Sequence, residues 1–302
     1  MEQHPITWHE LRRGLPLLLV FMTLFTSCSA QGGNGSDHRR QAYVAADNKL
    51  KEAAAAGVDA LCGLLHDPHF VKRHMAAYEL GSMDLDAAVA MEDAGRAGRR
   101  PTHPNGPKAL DCLLRAVNDT SEIVRGFTAT ALGNFPDQRV DAALKEQLAR
   151  EQAPEVRKRL LHAIGNQLEK DNGAFLSNQP APSLADSMGI VLGAKELAVS
   201  GIGSATLVER CLPMYPSPAL QGMVIDLLAR TDTATLTSHV DELLAVARSQ
   251  RGRSEQSAWC RVIARIPGMS AEAYLKDVLA EGLTPKDRET ARALLARRQR
   301  ER

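Results

Sequence analysis

Three groupings of residues in this sequence carry side chains able to do chemistry. The densest is His66-Asp67-Pro68-His69, with His74 further on. Two imidazoles and a carboxylate so close together could ligate a metal ion through His66, His69 and Asp67. The spacing lacks the i,i+4 histidine pair of a zinc-binding helix, however, and Pro68 sets the group in a turn. A solvated turn, with Asp67 capping the helix that follows, accounts for the same residues, so no metal site is expected. The second grouping is Arg73, Arg125 and Arg157, which recur at one position of a repeat. They could line an anion-binding groove, or form structural pairs with Asp67, Asp119 and Glu151 or their neighbours; the pairing is the expectation. The third is Cys62, Cys112, Cys211 and Cys260, which allow three disulfide pairings. Each also lies in an apolar helical stripe, where a free thiol behaves as a small hydrophobe, and free core cysteines are the expectation. There is no CxxC, P-loop, GxSxG, HExxH or Rossmann glycine fingerprint. No catalytic residue is therefore assigned and no cofactor is implied.

The elements that must position these residues repeat along the chain. Three segments align without gaps: Asp67 to Gly81, Asp119 to Gly133 and Glu151 to Gly165. In each, an acid stands six residues before an arginine, an aliphatic residue seven after it and a glycine eight after. The acid and its polar neighbours suit a turn, where their oxygens can cap free N–H groups of the next helix. Pro154 suits a first helical turn. Ala76/Leu80, Thr128/Leu132 and Leu160/Ile164 fall four apart, on the face expected to be buried. The closing glycine is expected to stop the helix in a left-handed conformation. Ahead of each segment, Leu61, Leu64 and Leu65, then Leu110, Leu113, Leu114 and Val117, then Ala143, Leu144 and Leu148 give a first helix. A helix–turn–helix unit of this size cannot bury its apolar face alone and must stack.

The recurring Asp…Val-Arg…Ala…Leu-Gly pattern of residues 57–168 resembles HEAT-like repeats of the short bacterial kind, as in phycobilin lyases. The resemblance implies an all-α fold, an α-solenoid of antiparallel helix pairs. It also implies that the recurrent acid and arginine form a ladder between neighbouring repeats. Beyond residue 170 the pattern weakens. Residues 171–188, with Pro180 and Pro182, read as a linker loop. Six helical stripes follow, from Leu207–Leu212 to Glu289–Leu295, separated by proline and glycine breakers. They suggest degenerate repeats over 189–302, ending in a basic cap at Arg297-Arg298-Gln299-Arg300-Glu301-Arg302. About six helix pairs are expected in all. The repeats at 41–170 are interrupted by a long loop at 82–106, which contains Arg96, Arg99, Arg100 and His103. Insertions in a solenoid emerge on one face, often the binding face, so these four residues mark a candidate binding loop.

The N-terminus reads as an address. Arg12-Arg13-Gly14, an apolar run from Leu15 to Phe25 and then Thr26-Ser27-Cys28-Ser29-Ala30 describe a signal peptide over 1–27. Phe25-Thr26-Ser27-Cys28 resembles a bacterial lipobox, although leucine is usual where Phe25 stands. The resemblance implies that Cys28 becomes the acylated first residue of the mature protein, each buried methylene contributing about 0.8 kcal/mol to anchoring. Residues 28–40, rich in glycine, then form a flexible tether. Ser29 points to the outer membrane, facing the periplasm or the exterior.

Bulk composition narrows the function classes. A net charge of +1, with acids and bases interspersed, argues against a nucleic-acid partner. Aromatics at 4% are too scarce for a sheet-rich core, whereas alanine and leucine suit packed helices. The expected function is a membrane-tethered, non-catalytic scaffold that binds a protein or peptide, held to the bilayer through Cys28. The alternatives are a lyase-like enzyme or chromophore-handling protein, centred on His66, His69 and Arg73, and a purely structural role in the envelope.

Overall fold

The computed structural model describes residues 35–93, 106–135, 137–202, 205–250, 255–281 and 284–300. Residues 1–45 and 46–302 form two separate units. The described part of the first is the beginning of α1 (Gly35–Ala56). The signal peptide and Cys28 lie outside the described residues, as do Arg96, Arg99, Arg100 and His103.

Among the described residues there are sixteen α-helices and no strand. After α1, six helices form three pairs: α2 (Val58–Leu64) with α3 (Phe70–Asp93), α4 (Gly106–Ala116) with α5 (Glu122–Leu132), and α6 (Gln138–Arg150) with α7 (Pro154–Asn166). Next come α8 (Asn172–Ser177) with α9 (Leu184–Val199), and α10 (Ala205–Cys211), extended by a 3-10 turn at Leu212–Met214, with α11 (Gln221–Arg230). The short α12 (Thr233–Ser238) leads to α13 (Val240–Ser249) with α14 (Gln256–Ile263), and finally α15 (Met269–Glu281) pairs with α16 (Pro285–Arg300). Each second helix packs on the second helix of the next pair, from α3 through α5, α7, α9, α11 and α14 to α16. This is α-solenoid packing, in which each unit is stabilised by its neighbours. Leu80, Leu132, Leu160 and Ile164 are fully buried, as the four-residue spacing predicts.

Four expectations need correction. The described stack holds seven pairs, and the additional one is α8/α9, which begins inside the stretch read as a linker at 171–188. A six-residue helix is too short to show a period, and α8 is held by tertiary contacts. Asn172 is buried and donates to the Ile164 carbonyl at 2.8 Å and to Asp141 at 3.0 Å, while Leu176 enters the core. The loop placed at 82–106 begins as helix, because α3 continues to Asp93. The tether placed at 28–40 is helical from Gly35, since the residues after Asp37 are good helix formers.

The fourth correction concerns the repeat glycines. Gly81 lies inside α3 and Gly165 inside α7, and Gly133 has right-handed helical angles of φ −56° and ψ −18°. None of them stops a helix by turning left-handed. They are small because a neighbouring helix is close. A Cβ at Gly81 would stand 2.5 Å from the Ala131 Cβ, and one at Gly165 only 2.3 Å from the Gly193 Cα.

Candidate functional site

The recurrent arginines connect adjacent repeats. Arg73 on α3 makes a two-pronged bond to Asp119, Nε to Oδ2 at 2.8 Å and Nη2 to Oδ1 at 2.9 Å. Arg125 on α5 does the same to Glu151, at 2.7 and 2.9 Å. Arg157 on α7 reaches Asp186 at 2.7 Å. Each arginine also donates Nη1 back within its own repeat: Arg73 to the Asp67 and Pro68 carbonyls of the turn, Arg125 to those of Asp119 and Thr120, and Arg157 to that of Leu148 near the end of α6 and that of Glu151. A guanidinium occupied on both sides is committed to structure rather than to a soluble anion. Burial by itself favours the neutral acid at Glu151. Bonds from Arg125, the Ala153 N–H and Gln147 outweigh it and hold the carboxyl down at about 2. The bond to Glu151 in turn raises the pKa of Arg125.

Asp67 starts the series among the described residues, where no arginine precedes it in this role. It accepts from Lys72 at 2.8 Å and caps the His69 N–H at 2.9 Å. His66 and His69 are exposed in that turn. Among the described residues no group of three or more His, Cys, Asp or Glu side chains could hold a metal ion.

Asp186 lay in the stretch read as a loop, and its local signal is Ser183-Leu184-Ala185-Asp186. Ser183 caps the helix by accepting from the Asp186 N–H at 3.1 Å, and its hydroxyl donates to the Asp186 carboxylate at 2.5 Å. Thr284 and Asp287 repeat this arrangement at α16, where Ser257 donates to Asp287 at 2.5 Å. In these later units the acid has moved from the turn into the first turn of the helix. A different arginine contact joins the last units: Arg265 donates to the Leu228, Ala229 and Thr231 carbonyls, and Arg298 to that of Ile266.

A second feature runs across the second helices. Tyr78 on α3 meets the Phe127 ring edge-on with centroids 6.4 Å apart, and the Arg159 guanidinium lies 4.7 Å above that ring. Phe70, Tyr78 and Ile123 are exposed large hydrophobic residues on the same two helices, α3 and α5. Burial lowers the Arg159 pKa, as expected where a ring replaces water on one side. On α7, His162 follows Arg159 by less than one turn and faces Glu196 of α9 at 3.8 Å. Lys195 beside it reaches Asp226 of α11 at 3.2 Å, and Arg230 holds the same carboxylate at 3.1 Å. The row thus runs from aromatic on α3 and α5, through cationic on α7, to mixed charge on α9 and α11.

Two of the four cysteines depart from the free core thiols expected: Cys62 on α2 and Cys112 on α4 form a disulfide between the first helices of adjacent pairs. Cys211 and Cys260 are free and buried, and burial raises both thiols to about 12. They are core residues without useful nucleophilicity at neutral pH.

Residues 94–165 match the family model for HEAT repeats, which among the described residues spans α4 to α7. No curated protein matches the chain. Two engineered proteins of known crystal structure are similar. One has 15% identity and a TM-score of 0.47, covering 79% of this chain and 67% of its own. The other has 17% identity and a TM-score of 0.38, covering 79% of this chain and 95% of its own. HEAT repeats generally mediate protein binding, which suggests a scaffold or binding role.

Proposed function

We propose that the protein is a membrane-tethered scaffold of the cell envelope that binds a protein or peptide along its second helices. The observation that carries the binding part is the row Tyr78, Phe127, Arg159, His162–Glu196 and Lys195–Asp226. It joins exposed aromatic surface to an arginine stacked on a ring, the residue types enriched where proteins bind. The near-neutral charge makes a polypeptide a better fit than a nucleic acid. The tether part rests on the apolar run before Cys28 and the lipobox-like residues around it. It is supported by the Cys62–Cys112 disulfide, since such bonds persist mainly in oxidising, extracytoplasmic compartments. Outer-membrane placement follows from Ser29.

Two measurements test the reading. Cys28→Ala should abolish acylation and move the protein from the membrane to the soluble fraction; unchanged membrane retention would remove the lipid anchor. A photo-crosslinking residue at Tyr78 or Ile123 should trap a defined polypeptide, whereas one at Glu146 on first helix α6 should not. Equal trapping at all three positions would sink the assignment to the second helices.

A further inference from the structure

Away from the second-helix row, a groove of about 570 Å³ opens between α10 with its 3-10 turn and α13. Its floor holds the buried residues Leu212, Tyr215, His239 and Gln250. Tyr215 is fixed there by Trp259, whose indole N–H donates to the phenol oxygen at 2.8 Å. At the exposed rim stand Glu209, Glu242, Pro213 and Pro216. The two ionisable rim groups are both acids, and among the described lining residues there is no lysine or arginine.

His239 connects floor and rim. Its Nδ1 lies 3.1 Å from Glu242 Oε2, while Nε2 is buried and has no hydrogen-bond partner. The contact at Nδ1 holds the Glu242 carboxylate at the edge of the groove. A donor that carries positive charge suits this rim, because it can meet the Glu209 and Glu242 carboxylates. Proline, leucine and Val246 beside them supply apolar wall for a side chain with a methylene stem. The volume lies in the usual range of ligand sites.

We propose that this groove binds an arginine side chain presented by a basic peptide segment. It uses first helices and the irregular connection at 212–220, so it stands whether or not the second-helix row engages a partner.

The test is fluorescence anisotropy of the folded protein with a labelled hexapeptide carrying two central arginines. The control probe is the same peptide with citrulline, which keeps the shape of arginine and removes the charge. Wild-type protein should bind the arginine peptide and lose most of that binding with citrulline. Glu209→Gln with Glu242→Gln should weaken binding about tenfold or more, the loss expected for charge-assisted hydrogen bonds. Asp241→Asn, an exposed acid on α13 outside the groove, should leave binding unchanged. Both substituted rim residues are exposed, and the citrulline comparison needs no variant, so impaired folding cannot obscure the answer. No binding by the wild type, equal binding of the citrulline peptide, or an unaffected double variant would each overturn the proposal. So would binding that emerges only after Arg251→Gln with Arg253→Gln, since the groove would then serve its own chain.

Discussion

Arg125 and Glu151 lie 26 residues apart in the chain and are joined by two hydrogen bonds, the shorter at 2.7 Å. The carboxylate is almost fully buried and receives the Gln147 amide, the Gln152 and Ala153 N–H groups and the guanidinium. One charged group thus closes the end of α6, starts α7 and ties both to α5. Unlike an exposed pair, this one has its remaining polar sites filled, which is the condition for a buried ion pair to hold a fold together.

Removing one partner should therefore cost more than removing both. Arg125→Ala strands a buried carboxylate and should destabilise by about 3–5 kcal/mol. Arg125→Met with Glu151→Leu should recover part of that loss. Urea unfolding of the single and double variants measures the coupling, and simple additivity would show that the bonds carry none.

The same residue sets an acid limit. The Glu151 carboxyl is held down at about 2 in the folded protein, against an ordinary glutamate value of 4.5. Its folded pKa is depressed, so its contribution is fully present above the unfolded value and lost as pH falls through the folded one. The contribution is about 3 kcal/mol, and the loss should run from roughly pH 5 down to 2. Glu151→Gln should flatten that part of the stability–pH curve. A variant with the wild-type slope between those limits would assign acid sensitivity to other carboxylates.

The glycines make a sharper prediction, because two of them in helices face opposite circumstances. Gly165→Ala puts a methyl group 2.3 Å from Gly193 and must push α7 from α9, at a cost of about 1–3 kcal/mol or more. Gly222→Ala on α11 meets nothing within 4 Å and should be neutral or stabilising by up to about 1 kcal/mol. Thermal melts of the two variants settle the matter, and similar behaviour of both would contradict close packing at Gly165.

Why some of this could be read from the chain and some could not follows from where each interaction lives. Apolar residues four apart, such as Leu160 and Ile164, report burial locally, so the helices and their pairing were legible. The repeat glycines were legible as a spacing, but their role is a contact between helices, and local sequence suggested a helix stop instead. The ladder residues were visible, yet their pairing runs one unit forward, over separations of 46, 26 and 29 residues. Asp186 escaped because the acid of that unit sits inside its helix, next to a six-residue helix with no measurable period. The second-helix row was hidden for a different reason. Met75, Phe127 and Arg159 share one repeat position, two after the ladder arginine, and Tyr78, Thr130 and His162 share another. Such positions vary between units, Met75 being buried and Phe127 and Arg159 half-buried, while the packing positions around them stay alike, so comparing repeats with each other hides them.

The disulfide extends the argument to stability. Cys62 and Cys112 are 50 residues apart and bridge the first two pairs across the insertion that follows α3. Closing a loop of that length stabilises by about 4 kcal/mol through the entropy of the unfolded chain. Reduction should lower the urea midpoint accordingly, and Cys62→Ser should lower it without further response to reductant. Thiol labelling provides an independent check. Cys211 and Cys260 are buried with thiols raised to about 12, so both should react only on unfolding. A native, unreduced protein whose Cys62 or Cys112 is labelled within seconds would show that the bridge is open, and with it would go the support that the bridge lends to an oxidising compartment.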